Sequence, residues 1–185
     1  MIPSRMVCRT LLAGFLVLAA LSSPARASNF SLPPETPAIL DRIYSFDLGG
    51  AIEAAKRMEN ERPKHPLGYL LEAEALWWRI WCTSADFKYG MSDARRRPKL
   101  EADQHYVELS ARALSLAEAQ IKQSDSAEMH FYAGMAEASL ARLYSLRGEN
   151  RNAARSGVRG REHLLRAKSL DPDLADADMG LGLYH

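Results

Sequence analysis

The chain has 185 residues and a formal net charge of +1, with 25% charged and 47% hydrophobic residues. This length is enough for one domain with a buried core. The near-neutral charge and ordinary hydrophobic share exclude a disordered acidic tail and a basic nucleic-acid-binding arm.

The first 27 residues have the order of a secretory signal peptide. Arg5 and Arg9 give a positive start, the apolar run Leu11–Leu21 follows, and Ala25-Arg26-Ala27 offers small residues for a signal peptidase. The run is shorter than the roughly 20 residues that a membrane span needs. We therefore predict cleavage near Ala27 and export to the periplasm or the medium, with no stable membrane anchor; a retained anchor is the alternative.

Cleavage would change the charge and the cysteine content. It removes three arginines and no acidic residue, which leaves 21 basic and 23 acidic side chains and a net charge of −2. This balance disfavours a nucleic-acid partner. Cys8 leaves with the signal, so Cys82 has no partner for an intramolecular disulfide. We expect Cys82 to be a small buried hydrophobic residue.

Residues 28–38 form a Pro-rich segment after the cleavage site. Pro33, Pro34 and Pro37 disfavour a regular helix, so we predict a flexible tether here. The folded domain is then expected over residues 39–185.

The composition of the mature chain favours helices throughout. It holds only two Val, five Ile and two Thr, whereas strands prefer β-branched and aromatic residues. Ala, Leu, Glu and Arg are abundant, and these are good helix formers. No stretch alternates between apolar and polar residues for long, so we predict an all-α protein without a sheet.

The first predicted helices are short. Two of them flank Asp47, over residues 39–46 and 51–61. A longer helix is expected to start at Pro66, because proline fits the first helical position, where its missing N–H breaks no intrahelical hydrogen bond.

Three long helical segments complete the pattern. Residues 98–122 carry two neighbouring apolar stripes, which a helix packed on two sides requires. In the next helix we expect Asp125 and Glu128 to form a capping box and Gly148 to end the helix in the left-handed conformation. The last full helix is predicted over about 150–170.

From Gly160 onward the sequence resembles the tetratricopeptide repeat, a helix-turn-helix unit of about 34 residues with a W-x2-L-G-x2-Y, A-x3-F, P pattern. The matching positions, in order, are Gly160, Leu164, Ala167, Pro172, Leu181 and Gly182. Weaker echoes occur at Ala51-x3-Ala55 and at Ala133-Gly134.

This resemblance implies antiparallel helical hairpins stacked into an α-solenoid that binds a partner; a generic helical bundle is the alternative. Solenoids of this kind end in a helix with a polar outer face, but residues 178–184 are mostly apolar. We therefore expect the natural chain to continue past His185; the alternative is that this apolar end docks onto a partner.

Motifs for catalysis and for metal or cofactor binding are missing from the sequence. The five histidines form no H-E-x-x-H pair, and one remaining cysteine cannot build a zinc finger. There is no G-x-S-x-G, P-loop or G-x-G-x-x-G motif. Asp171, Asp173, Asp176 and Asp178 are interpreted as an acidic helix start. We predict a protein that is not an enzyme, with no catalytic residue, metal or cofactor.

Three features are candidates for binding. Trp77, Trp78 and Trp81 are interpreted as core residues, with Trp78 the one expected to reach the surface. Arginines can bind carboxylates or phosphates, and aromatic residues in loops can bind ligands. The candidate partner or ligand residues are Trp78, Phe87, Tyr89, Arg95, Arg96 and Arg97.

These observations favour an exported interaction module or scaffold that binds a peptide or a protein. The alternative is a periplasmic component that binds an anionic or aromatic small molecule. An enzyme is the third class, and fold alone does not decide among the three.

Overall fold

The computed structural model of the chain describes residues 30–84, 95 and 98–182, so the predicted signal peptide lies outside the described residues. Within those ranges the chain forms seven α-helices and no strand, which confirms the all-helical prediction. The helices are α1 (Thr36–Tyr44), α2 (Leu48–Glu61), α3 (Pro66–Ser84), α4 (Glu101–Ile121), α5 (Ala127–Leu146), α6 (Asn150–Leu170) and α7 (Ala175–Gly182).

Several helix ends follow from local sequence. Helix α3 starts at Pro66, as predicted. Gly148, after α5, has a φ of 74°, in the left-handed region that glycine adopts without strain. The predicted capping box at Asp125 is wrong. The N-cap of α5 is Ser126, whose hydroxyl accepts a hydrogen bond from the Met129 N–H.

Helix α1 begins inside the Pro-rich segment 28–38. Pro37 lies in its first turn, where a missing N–H is tolerated, and for this reason the helix extends past the proline. Upstream, the ring of Phe30 lies 5.4 Å from that of Phe131 and 5.6 Å from that of Tyr132. From Phe30 onward the segment therefore contacts the folded part of the chain.

The helices pack in a repeat-like order. Each one contacts the helix that follows it, and α1–α3 and α3–α5 contacts join every second helix. Three apolar clusters result. The first lies between α1, α2 and α3, with residues from α4 and α5. The second lies between α3, α4 and α5, and the third between α6 and α7. None of the described helices combines the length and the apolar character that a membrane crossing requires.

The α5–α6 crossing is close because both helices carry glycine there. A Cβ atom on Gly134 would lie 2.7 Å from the Leu164 Cγ and 3.2 Å from the Gly160 carbonyl oxygen. Leu164 is fully buried and fills the space between α5, α6 and α7. The small residues let the two helices approach, and one large side chain closes the junction.

The expectation that Cys82 is buried is wrong, because its side chain is exposed. In the last turn of α3 the buried side carries Ile80 and Ser84, which are four residues apart. Cys82 lies between them in sequence, about 200° around the helix from each, and therefore points to solvent.

Candidate binding groove

An open groove of about 890 Å³ is formed by α3, α5 and α6. Its lining is mostly small or apolar. The lining residues are Glu74, Met135, Ala138, Ser139, Ala141, Arg142, Ser145, Asn150, Ala153, Ala154, Gly157, Val158 and Arg161.

Small side chains on both helices create this groove. Ala138 and Ala141 line it from α5, and Ala154 and Gly157 line it from α6. Val158 is 60% exposed, although its neighbours in the groove are apolar. An exposed apolar side chain in a concave surface is a feature of binding sites, because covering it removes apolar area from water.

The α3 side of the groove is a fixed polar edge. The Arg142 Nη2 donates to the Glu74 Oε2 at 2.5 Å and to the Tyr106 hydroxyl at 3.1 Å. The Arg142 guanidinium also lies 4.3 Å from the centre of the Trp77 ring, a cation–π contact. These contacts hold Arg142 in place and neutralise its charge at this edge.

The opposite wall is positively charged. Helix α6 carries five arginines and one lysine but a single glutamate. Arg159 pairs with Glu137, and Arg166 pairs with Asp125. Among the described residues, no ion pair involves Arg151, Arg155 or Arg161, and Arg161 lines the groove.

The half-buried Glu59 and the buried Glu72 meet away from the groove, where α2 packs on α3. Burial, followed by a hydrogen bond to Glu72 and the charge of Glu72, raises the pKa of Glu59 to about 8. Glu72 also lies 3.0 Å from the His105 Nε2 and 3.5 Å from the Lys56 Nζ. Glu59 is therefore mostly protonated at neutral pH.

A pair of histidines bridges α5 and α6. The Nδ1 atoms of His130 and His163 are 2.9 Å apart, and the His130 Nε2 lies 2.8 Å from Asp125. Burial, and then the charge of His130, lower the pKa of His163. The Arg166 side chain holds the pKa of Asp125 below its ordinary value by hydrogen bonding. Asp125 thus links the two helices instead of capping one.

Of the six binding residues predicted from sequence, the structure describes Trp78 and Arg95. Trp78 is half-buried, and its ring lies 5.8 Å from that of Phe46, which has an unusual φ of 63°. Arg95 lies near Gly148, where a Cβ atom would be 3.5 Å from the Arg95 Cδ. Neither residue lines the groove. Phe87, Tyr89, Arg96 and Arg97 lie outside the described residues.

The positions predicted for repeat packing have different surroundings. Those with little or no exposure are Ala51, Ala133, Gly134, Gly160, Leu164 and Ala167. Pro172 is in the α6–α7 turn, and its carbonyl accepts a hydrogen bond from Lys168 at 2.6 Å. Leu181 packs on the third cluster, but Gly182 is exposed, with no atom within 4 Å of an added Cβ. The close contact of α7 falls at Gly180, which meets Leu164.

Sequence reasoning missed the groove residues. Ala138, Ala154 and Val158 lie on helices that were predicted, but no local pattern reveals that their faces meet in an open concavity. The one available signal was the unusually basic composition of α6, which includes Arg161.

The described residues hold no group of three or more His, Cys, Asp or Glu side chains that could bind a metal ion. No protein-family model, no curated protein and no solved structure matches this chain. The geometry of the chain itself therefore carries the functional proposal.

Proposed function

We propose that this protein is a non-enzymatic interaction module that holds a peptide or protein partner in the α3–α5–α6 groove. The observation that carries the proposal is the groove itself, with its apolar lining and the 60% exposed Val158. Covering apolar surface stabilises a complex by about 25 cal/mol per Å² removed from water.

The architecture supports this proposal. Successive helices pack as neighbours, and contacts between alternate helices join α1 to α3 and α3 to α5. This repeat-like order supports our proposal that the chain is a degenerate tetratricopeptide-like array of stacked helical hairpins. Such arrays bind partners on extended concave surfaces.

The groove chemistry favours binding over catalysis. Among the described residues, its lining includes neither histidine nor cysteine, and its one carboxylate, Glu74, is held by Arg142. A catalytic site needs a nucleophile or a base that is free to react with a substrate. Because its first 27 residues have the order of a signal peptide, we propose that the module works outside the cytoplasm.

Site-specific photo-crosslinking in the cells that make the protein tests this function. A photoreactive amino acid at Val158 is expected to yield covalent adducts with one or a few proteins. The same amino acid at Arg155, exposed on the same helix but outside the groove lining, is the matched control and is expected to yield none. Equal adducts from both positions, or none from either, would contradict the proposal.

A small anionic or aromatic ligand is the second candidate occupant. The groove volume of about 890 Å³ falls in the range of ligand pockets. Native mass spectrometry of the protein from its source distinguishes the two, because a retained small molecule adds a fixed small mass. Such a mass, lost in an Ala154→Trp variant, would favour the ligand over a protein partner.

A further inference from the structure

We propose that the partner segment is an acidic amphipathic helix of about three turns that lies in the groove with its carboxylates facing Arg161. This inference rests on the proposed function and adds the chemistry of the partner to it. Three observations support it: the groove walls, its dimensions and its charge.

The walls favour a helix as the occupant. They are formed by helices, whose backbone N–H and C=O groups are engaged within each helix. An extended peptide would find few free backbone groups to pair with there, and any backbone polar group that it buried would lack a partner, which is costly. A helix satisfies those groups internally and presents only side chains, as in helix-in-groove recognition.

The dimensions set the length and the contact residues of the occupant. The lining runs along α6 from Asn150 to Arg161, about 17 Å at 1.5 Å per residue. This distance corresponds to about three helical turns. Because the groove is lined by alanines and Gly157, large apolar side chains must come from the partner, at a spacing of three and four residues.

The positive charge of the groove favours a negatively charged partner. Of the three charged side chains that line the groove, Glu74 and Arg142 neutralise each other, whereas Arg161 has no ion pair among the described residues. Arg151, on the same helix, also has no ion pair among the described residues. A carboxylate over Arg161 gains a charge-assisted hydrogen bond, and an ammonium there is repelled.

Selection from a displayed library of random 16-residue peptides on the immobilised protein tests the inference. We expect enriched peptides to carry Asp or Glu on one face and Leu, Ile, Met or Phe at helical spacing on the other. Their dissociation constants are then measured by fluorescence anisotropy, at low and high salt, for the wild type and three variants.

The variants separate the groove from its charge. Ala154→Trp fills the groove and is expected to weaken binding at least about tenfold. Arg161→Glu is expected to weaken it by a similar factor and to remove most of the salt dependence. Arg155→Glu changes the same charge on the same helix outside the groove lining, so its effect is expected to be small.

Each of the other outcomes overturns either the acidic partner alone or the proposed function as well. Enriched peptides that are neutral or basic, or that bind Arg161→Glu as well as wild type, overturn the acidic partner and leave the groove as a binding site. Peptides insensitive to Ala154→Trp, or no enrichment at all, overturn the proposed function as well. A protein dimer that Ala154→Trp dissociates, seen by light scattering, would make a second copy the occupant and overturn this inference.

Discussion

The two ends of the α5–α6 interface use the same pair of helices and differ in what fills the space between them. At one end Gly134 lies against Gly160, and the fully buried Leu164 closes the junction with α7. At the other end Ala138 and Ala154 line an open groove that no described helix covers. At the first end, the small residues form a tight junction because Leu164 and α7 fill and cover it. At the second end, no large side chain and no described helix covers the small residues, so a groove remains.

The largest expected effect is at the closed end. Leu164→Ala should lower the free energy of unfolding by about 2–5 kcal/mol, because it leaves a cavity between three helices. Urea denaturation followed by circular dichroism measures the loss. Leu165→Ala is the matched control: Leu165 is 41% exposed, so its loss should be much smaller. Equal losses for the two variants would mean that Leu164 does not close the junction.

Removing one partner of the Glu137–Arg159 ion pair should have the next largest effect. Glu137 is 1% exposed, and Arg159 is its cationic partner across the two helices. Arg159→Met leaves the Glu137 carboxylate buried without a cation and should lower the free energy of unfolding by about 1–3 kcal/mol. Arg155→Met, on the exposed side of α6, should change it by less than about 0.5 kcal/mol. If Arg159→Met left the free energy of unfolding unchanged, the Glu137–Arg159 ion pair would not stabilise the α5–α6 interface.

The glycine contact should respond to a single methyl group. Gly134→Ala forces Leu164 to shift, which costs about 1–3 kcal/mol. Alanine regains about 1 kcal/mol of helix propensity, so the net loss should be at most about 2 kcal/mol. Gly49→Ala has open space around the added Cβ and should be neutral or slightly stabilising. If both variants unfolded at the same denaturant concentration, the crossing would be looser than the contacts indicate.

A smaller effect is expected from pH. Because burial and the charge of His130 lower the pKa of His163 below its ordinary 6.5, the unfolded chain binds more protons than the folded chain at pH values just below 6.5. This contribution to stability is complete above pH 6.5 and is lost as the pH falls. Asp125, Glu118, Glu137, Glu162 and Arg166 are the other charged groups at this cluster. His163→Gln should flatten the fall in thermal midpoint between pH 7 and 5; an unchanged pH profile would contradict this assignment.

The helices themselves were predictable because the signals that set them are local. Pro66 starts a helix and Gly148 follows one through backbone preferences that need no distant partner. The choice between Asp125 and Ser126 as the N-cap depended on Arg166 and His130, which engage the Asp125 carboxylate across the fold. Sequence spacing could not show that partnership, nor that Cys82 faces solvent.

The groove was not predictable for a related reason. One of its three walls, α3, is distant in sequence from the consecutive helices α5 and α6, and its lining alanines fit a buried helix face equally well. Only the packing of α5 against α6 and α3 decides which small residues are covered. The Arg142–Glu74 pair, which fixes one edge of the groove, likewise joins residues 68 positions apart.

We propose that the closed end of the α5–α6 interface stabilises the fold and that the open end binds the partner. One variant, measured for stability and for binding, tests this proposal most directly. Ala154 is exposed in the groove, so Ala154→Trp should change the free energy of unfolding by less than about 0.5 kcal/mol. The same change should abolish the protein adducts formed by a photoreactive residue at Val158. Retention of those adducts at wild-type yield, in a variant that folds normally, would contradict the claim that the open end of the α5–α6 interface holds the partner.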